Sequence, residues 1–246
     1  MVCRSKERAE EARSKIVAEF AEADLPVLLG DCSLEADVRR VWAEFSGRER
    51  ALHGLCCNAG ALLNEKTLTS EGHEITFAAH LLFGAYLLGK LAIDCLVSSG
   101  GRLVLVSSGG MYNHGFPEWE VAASLKGEYD GTAFRPMGLL VSCNRTCSLV
   151  VCSWAGNLAY SYMKRGQVLL AEHWAREHPN LKVVSSHPGW ASTEGVDKAF
   201  GESKSLLDPM RTAWEGAEGI CWLFACDLDK IVAGASVATK SFPAGR

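Results

Sequence analysis

Tyr160 and Lys164 stand four residues apart in a stretch, 158–178, whose apolar spacing predicts a helix, so they share one face of it, a turn apart. A phenol with the ordinary pKa of about 10 is a poor proton donor or acceptor near neutrality. An ammonium ~4 Å away, at an effective dielectric of ~20, is worth roughly 4 kcal/mol, enough to bring the phenol down towards neutrality. Such a pair can protonate a carbonyl oxygen during reduction or deprotonate an alcohol during oxidation. Ser108 ends the apolar run 103–106 after Ser107, and its hydroxyl could hold the same oxygen. Taken singly, each feature has a plain reading. A helix-surface tyrosine can lie beside a solvated lysine, and Ser-Ser-Gly-Gly is ordinary turn chemistry.

The elements that must position these groups alternate. Residues 5–20 read as an amphipathic helix, with Ala9, Ala12, Ile16 and Phe20 on one face. Residues 25–30 read as a short buried strand, followed by Asp31 and by Ser33 as an expected helix N-cap. Val38, Val41, Trp42 and Phe45 mark a second amphipathic helix. Further strands are expected at 52–57, 103–106 and 181–185, and helices at 71–97, 158–178 and 213–226. Apolar strands alternating with helices imply a parallel sheet covered on both faces, with ligands beyond the carboxyl ends of the strands. Asp31, Asn58-Ala59-Gly60, Ser107-Ser108 and Pro188-Gly189 all fall at such ends.

Composition narrows the classes. The chain has 246 residues, 48% hydrophobic, enough for one large α/β domain. Its net charge of −4 and the lack of a basic run exclude a nucleic-acid footprint, leaving small molecules or proteins as partners. The ten cysteines are scattered, often inside apolar runs, and read as reduced core residues of a cytoplasmic protein with no signal peptide. The spacing of Cys143, Cys147 and Cys152 lacks a zinc pattern, so no metal is expected. That segment, 135–157, shows no helical period and reads as an insertion within a single domain over 1–246. Asn144 and Arg145 at its middle argue against a membrane span.

Asn58-Ala59-Gly60, the strand ending in Ser108, Tyr160-x-x-x-Lys164 and His187-Pro188-Gly189-Trp190 occur in the order in which the short-chain dehydrogenase/reductase family carries its NNAG signature, active-site serine, YxxxK motif and PG motif. The chain resembles that family over about 1–134 and 158–225. The resemblance implies a doubly wound, Rossmann-like parallel sheet and hydride transfer between NADP(H) or NAD(H) and a small-molecule carbonyl or alcohol. It implies Ser108 as the residue orienting the substrate oxygen, Tyr160 as the acid/base, and Lys164 as both its activator and a holder of the nicotinamide ribose. Asn58, Ala59 and Gly60 would pass the adenosine side, Asp31 the adenine, and Pro188 and Gly189 the nicotinamide end. Arg4 would favour the 2′-phosphate of NADP, and long helices pairing between subunits would give a homo-oligomer.

Four departures accompany the match. The first β-α unit with its TGxxxGxG turn is expected to be lacking, and no GxGxxG-type run occurs elsewhere. Cys57-Asn58 replaces an asparagine pair. His80 stands where the family places a relay asparagine. The segment 135–157 lengthens the path from Ser108 to Tyr160. The alternative expectation is therefore a catalytically inactive truncated isoform or fragment acting through protein–protein contacts.

Overall fold

The computed structural model describes residues 1–63, 65–112, 114–123, 155–200 and 207–238, so most of the expected insertion (135–154) lies outside the described residues. The elements, in chain order, are β1 (Val2–Cys3), α1 (Lys6–Glu19), β2 (Leu28–Leu29), α2 (Glu35–Arg48), β3 (Gly54–Cys57), α3 (Ile75–Ser98), β4 (Arg102–Val106), α4 (Trp119–Ala122), α5 (Ala155–Glu177), β5 (Lys182–His187), α6 (Glu194–Phe200), α7 (Ala213–Ala225) and β6 (Ser236–Ala238).

All strand pairs are parallel, as the continuous apolar runs require. β4 is the centre of the larger sheet, and its alternate residues point in opposite directions. Leu103 and Leu105 enter a layer with Ala92 and Leu96 of α3 and Ala171 and Trp174 of α5. Val104 enters the opposite layer with Val184, Leu223 of α7 and Ile231. The sheet is thus covered on both faces, the Rossmann-like arrangement expected from the pattern.

The strands form two sets rather than one sheet. β1 and β2 make a two-stranded pair, and β3-β4-β5-β6 a four-stranded sheet. Arg102 N–H donates to the His53 carbonyl at 3.1 Å, and the register pairs Gly54 with Arg102. The backbone groups of Gly54 and Cys56 therefore point away from β4. Leu28 N–H and Gly30 N–H donate to Met1 and Cys3, so those of Val2 point away from β2. Among the described residues no strand pairs with either of these edges.

Local chemistry sets the helix ends. Ser5 caps α1 by accepting from Arg8 N–H at 3.3 Å. Ser33 does not cap α2 as expected. Its N–H and hydroxyl both donate to Asp31, and Leu34 takes the cap position without a side-chain bond. The carboxylate of Glu71 reaches over instead and accepts from Glu35 N–H and Ala36 N–H at 2.7 and 3.1 Å. Glu74, almost fully buried, caps α3 through Thr76 and Phe77 N–H. The middle of α3, Ala78–Leu87, is wound as a π-helix. Gly100, with φ of 61°, ends α3 in a left-handed turn. α3 is long and apolar enough to cross a membrane, but its buried side chains, Ala92 and Leu96 among them, cover the sheet.

Candidate active site

β4 ends at Val106, and the next two residues serve different purposes. Ser107 is buried: its hydroxyl donates to the Lys164 carbonyl at 2.7 Å, and its N–H donates to the Ser186 carbonyl at 2.7 Å. The first bond fixes α5 to the end of β4, and the second fixes β5 beside it. Ser108 remains partly exposed, and its side chain hydrogen-bonds the phenol of Tyr160 in the second turn of α5. The long connection through 135–157 does not separate this pair.

Lys164 is buried, and its ammonium donates to the Val106 carbonyl at 2.6 Å. It lies over the Tyr160 ring, 5.4 Å from the centroid. Burial without a carboxylate partner pulls the Lys164 pKa down to about 7. Burial likewise raises the Tyr160 phenol, only partly offset by the Ser108 hydrogen bond. From spacing alone the lysine charge is expected to lower the phenol. It does not do so here because desolvation penalises both charged forms, and the lysine's own charge is the weaker for it.

His80 projects from the π-wound part of α3. Ala61 N–H donates to its Nε2 at 2.9 Å, and the Ala61 carbonyl lies 2.8 Å from the same nitrogen. Nε2 accepts from the N–H or donates to the carbonyl according to the tautomer, and Nδ1 is buried and has no partner among the described residues. The ring meets Tyr160 edge to face, with centroids 5.3 Å apart at 88°. Burial, then the Lys164 charge, holds His80 well below the usual histidine range, so it is neutral. Its backbone carbonyl accepts from Gln167 Nε2 at 2.8 Å. His80 thus fastens the 58–61 loop to the tyrosine.

That fastening explains Gly60. A Cβ placed there would lie 1.8 Å from His80 Cε1, inside a buried ring that cannot move aside. Gly60→Ala is expected to destabilise the fold by about 1–3 kcal/mol, in the range for overpacking. Gly115→Ala, where a Cβ meets nothing within 4 Å, is the matched control. Urea denaturation of the two variants checks this; equal midpoints would show that the His80–Gly60 contact has no energetic weight.

The remaining expected residues occupy two further places. Pro188 and Gly189 follow β5, next to β4, and Gly189 takes φ of 73° with its N–H on His187 Nδ1 at 3.3 Å. Arg4 and Asp31 belong to the β1–β2 pair and meet each other at 3.5 Å, with Arg4 mostly exposed. The structure therefore brings Ser108, Tyr160, Lys164, His80 and Gly60 together at the ends of β3 and β4, with exposed Asn58 and Ala59 alongside. It places Arg4 and Asp31 as a separate ion pair. Spacing alone marked Ser107 as a strand-end residue without its bond to α5, and gave neither the Val106 carbonyl nor Gln167. Gln167 carried a signal, three residues after Lys164 on the same helix face; the carbonyl carried none. Among the described residues no cluster of His, Cys, Asp or Glu could hold a metal.

No family model matches the chain. It is 32% identical over 227 residues to dehydrogenase/reductase SDR family member 12 of Homo sapiens, a match spanning 91% of this chain and 62% of that relative's length. A solved putative short chain dehydrogenase from Escherichia coli CFT073, complexed with NADPH, aligns with a TM-score of 0.67 at 17% identity, over 97% of this chain and 84% of that one. A short-chain dehydrogenase/reductase of unknown function from Caenorhabditis elegans, solved with cofactor, aligns with the same TM-score of 0.67 at 19% identity, over 96% and 82%.

Proposed function

Because this chain belongs to the short-chain dehydrogenase/reductase family, we propose that it is a nicotinamide-dependent oxidoreductase interconverting a small-molecule carbonyl and alcohol. One observation carries the reading: the Tyr160 phenol is hydrogen-bonded to Ser108 at the carboxyl end of β4, with Lys164 over the ring.

The donor set suits the ribose end of a nicotinamide nucleotide. Lys164 is buried with no carboxylate partner among the described residues, and its bond to Val106 uses one of its three donors. A ribose diol would accept from the remainder. When bound, the nicotinamide supplies or accepts the hydride. The rest falls to this chain. Ser108 donates to the substrate oxygen and fixes its position. Tyr160, kept protonated by burial, passes its proton to that oxygen in reduction and recovers it in oxidation. Lys164 holds the ribose, and neutral His80 keeps the 58–61 loop against the ring of Tyr160. Asn58, Ala59 and Gly60 are assigned to the adenosine side, and Pro188 and Gly189 to the nicotinamide end.

The pyrophosphate end is served less well. Among the described residues no glycine-rich turn offers a helix N-terminus of the kind that cradles phosphates. Arg4, the candidate for a 2′-phosphate, is already paired with Asp31, which weakens any preference for NADP(H) over NAD(H). Among the described residues no strand bridges the edges of β1 and β3, which favours a second reading, a catalytically inactive chain that acts through protein contacts. The seven cysteines described as free thiols suit a reducing, cytoplasmic setting for either reading.

Thermal denaturation with and without NADPH separates the two. A ligand at 100 times its dissociation constant adds about 2.7 kcal/mol, which at this size raises the midpoint by several degrees. An unchanged midpoint at millimolar NADPH and NADH would leave the inactive reading standing. With Arg4→Ala, NADPH and NADH midpoints are expected to converge if Arg4 reads the 2′-phosphate.

A further inference from the structure

Two cysteines outside the candidate site, Cys56 and Cys221, stand on the strand β3 and the helix α7 that packs on it. The contact that establishes this is Gly54, where an added Cβ would lie 2.7 Å from the Phe224 ring, so this face of β3 packs directly on α7. The direction of α7 is fixed at both ends. Gly216, near its start, abuts Pro188 beyond the carboxyl end of β5, where an added Cβ would lie 3.3 Å from the proline. The carbonyls of Leu223 and Cys226, at its end, accept from Arg102 at the amino end of β4. α7 therefore runs antiparallel to the strands. Cys56 is two residues beyond Gly54, on the same face of β3 and one step nearer its carboxyl end. Cys221 is three residues before Phe224, on the same stripe of α7 and one turn nearer that same end. Cys221 lies near enough to add to the desolvation that holds the Cys56 thiol above its ordinary range, and both residues keep exposed surface.

We infer that Cys56 and Cys221 are a paired modification site, closing to a reversible disulfide on exposure to a peroxide-class oxidant. The two S–H bonds and the peroxide O–O bond break, one S–S bond forms, and the sulfurs give up two electrons. Both protons pass to the oxygens, which leave as two waters, and a thiol reductant reverses the change. Although the residue keeps exposed surface, desolvation of its sulfur, with Cys221 beside it, pushes the Cys56 thiol up to about 11, so attack on the peroxide falls to a small thiolate fraction and closure is slow. Closure would tie the strand that leads into Asn58 to the helix that backs Pro188, joining the two loops flanking the candidate site. The inference does not depend on the proposed activity.

The test uses the full chain, treated with hydrogen peroxide at neutral pH, alkylated, digested and mapped by mass spectrometry. The expected product is a peptide pair linked through Cys56 and Cys221, lost on treatment with dithiothreitol. Its thermal midpoint should lie several degrees above the reduced protein's, because the link closes a long loop. Cys56→Ser and Cys221→Ser should each abolish the linked pair and the shift, leaving the other cysteine open to alkylation. Recovery of both cysteines separately alkylated after oxidation would overturn the inference. So would a link joining either one to a different cysteine.

Discussion

Tyr160→Phe is expected to lower carbonyl turnover by about 10²–10⁴-fold, the range supplied by a positioned general acid, while leaving NADPH affinity nearly unchanged. The substitution is selective because the ring has structural work of its own. It packs edge to face on His80 and lies beneath the Lys164 ammonium, and phenylalanine keeps both contacts. Only the hydroxyl and its bond with Ser108 disappear. The pH dependence follows from the direction of the shift. A phenol raised by burial is protonated throughout the neutral range, so it is ready to donate. Reduction should be flat through neutrality and fall only at high pH. Oxidation, which needs the phenolate, should rise with pH over the same interval. Steady-state rates in both directions, for the native chain and the variant, check this. Native-like turnover in the variant would remove Tyr160 from the reaction.

Lys164→Met is expected to have an opposite pair of effects: loss of turnover and a gain in stability. The buried lysine has its pKa lowered from the ordinary 10.5 to about 7 by desolvation alone. Between those values the unfolded chain holds a proton that the folded chain does not. Native stability should therefore rise with pH from about 7 towards about 10.5, and be insensitive to this group below 7, where both states carry the proton. Methionine has a similar length and no charge to desolvate. Its thermal midpoint at pH 7 should exceed the native value, less the cost of leaving the Val106 carbonyl without its donor. The rising limb above pH 7 should vanish. Denaturation series across that range distinguish the outcomes; a slope that persists in the variant would show that another group sets it. On the proposed function, the stability cost of burying Lys164 is offset by its use in holding a cofactor ribose.

The largest parts of the fold were legible because they follow from short-range periodicity. The apolar runs at 52–57, 103–106 and 181–185 became parallel strands, and the amphipathic stretches became helices within a few residues of the expected ends. Boundaries that depended on distant partners were not legible. Ser33 has the chemistry of a cap, yet Glu71, far along the chain, caps α2 instead. Nothing in the spacing of 71–97 foretold that Ala78–Leu87 would wind as a π-helix and aim His80 at Ala61.

Residue type and spacing alone determined which groups could do proton chemistry, since Tyr160 and Lys164 share a helix face by geometry and Ser108 must end a strand. Only the tertiary structure decided their charge states. Desolvation depends on what surrounds a group in three dimensions, so the lysine expected to acidify the phenol instead loses its own proton affinity and binds the end of β4. Likewise the apolar runs marked β2, β3, β4 and β5 but not β6, and hydrogen bonding between distant segments decided that the strands stand as a pair and a sheet of four.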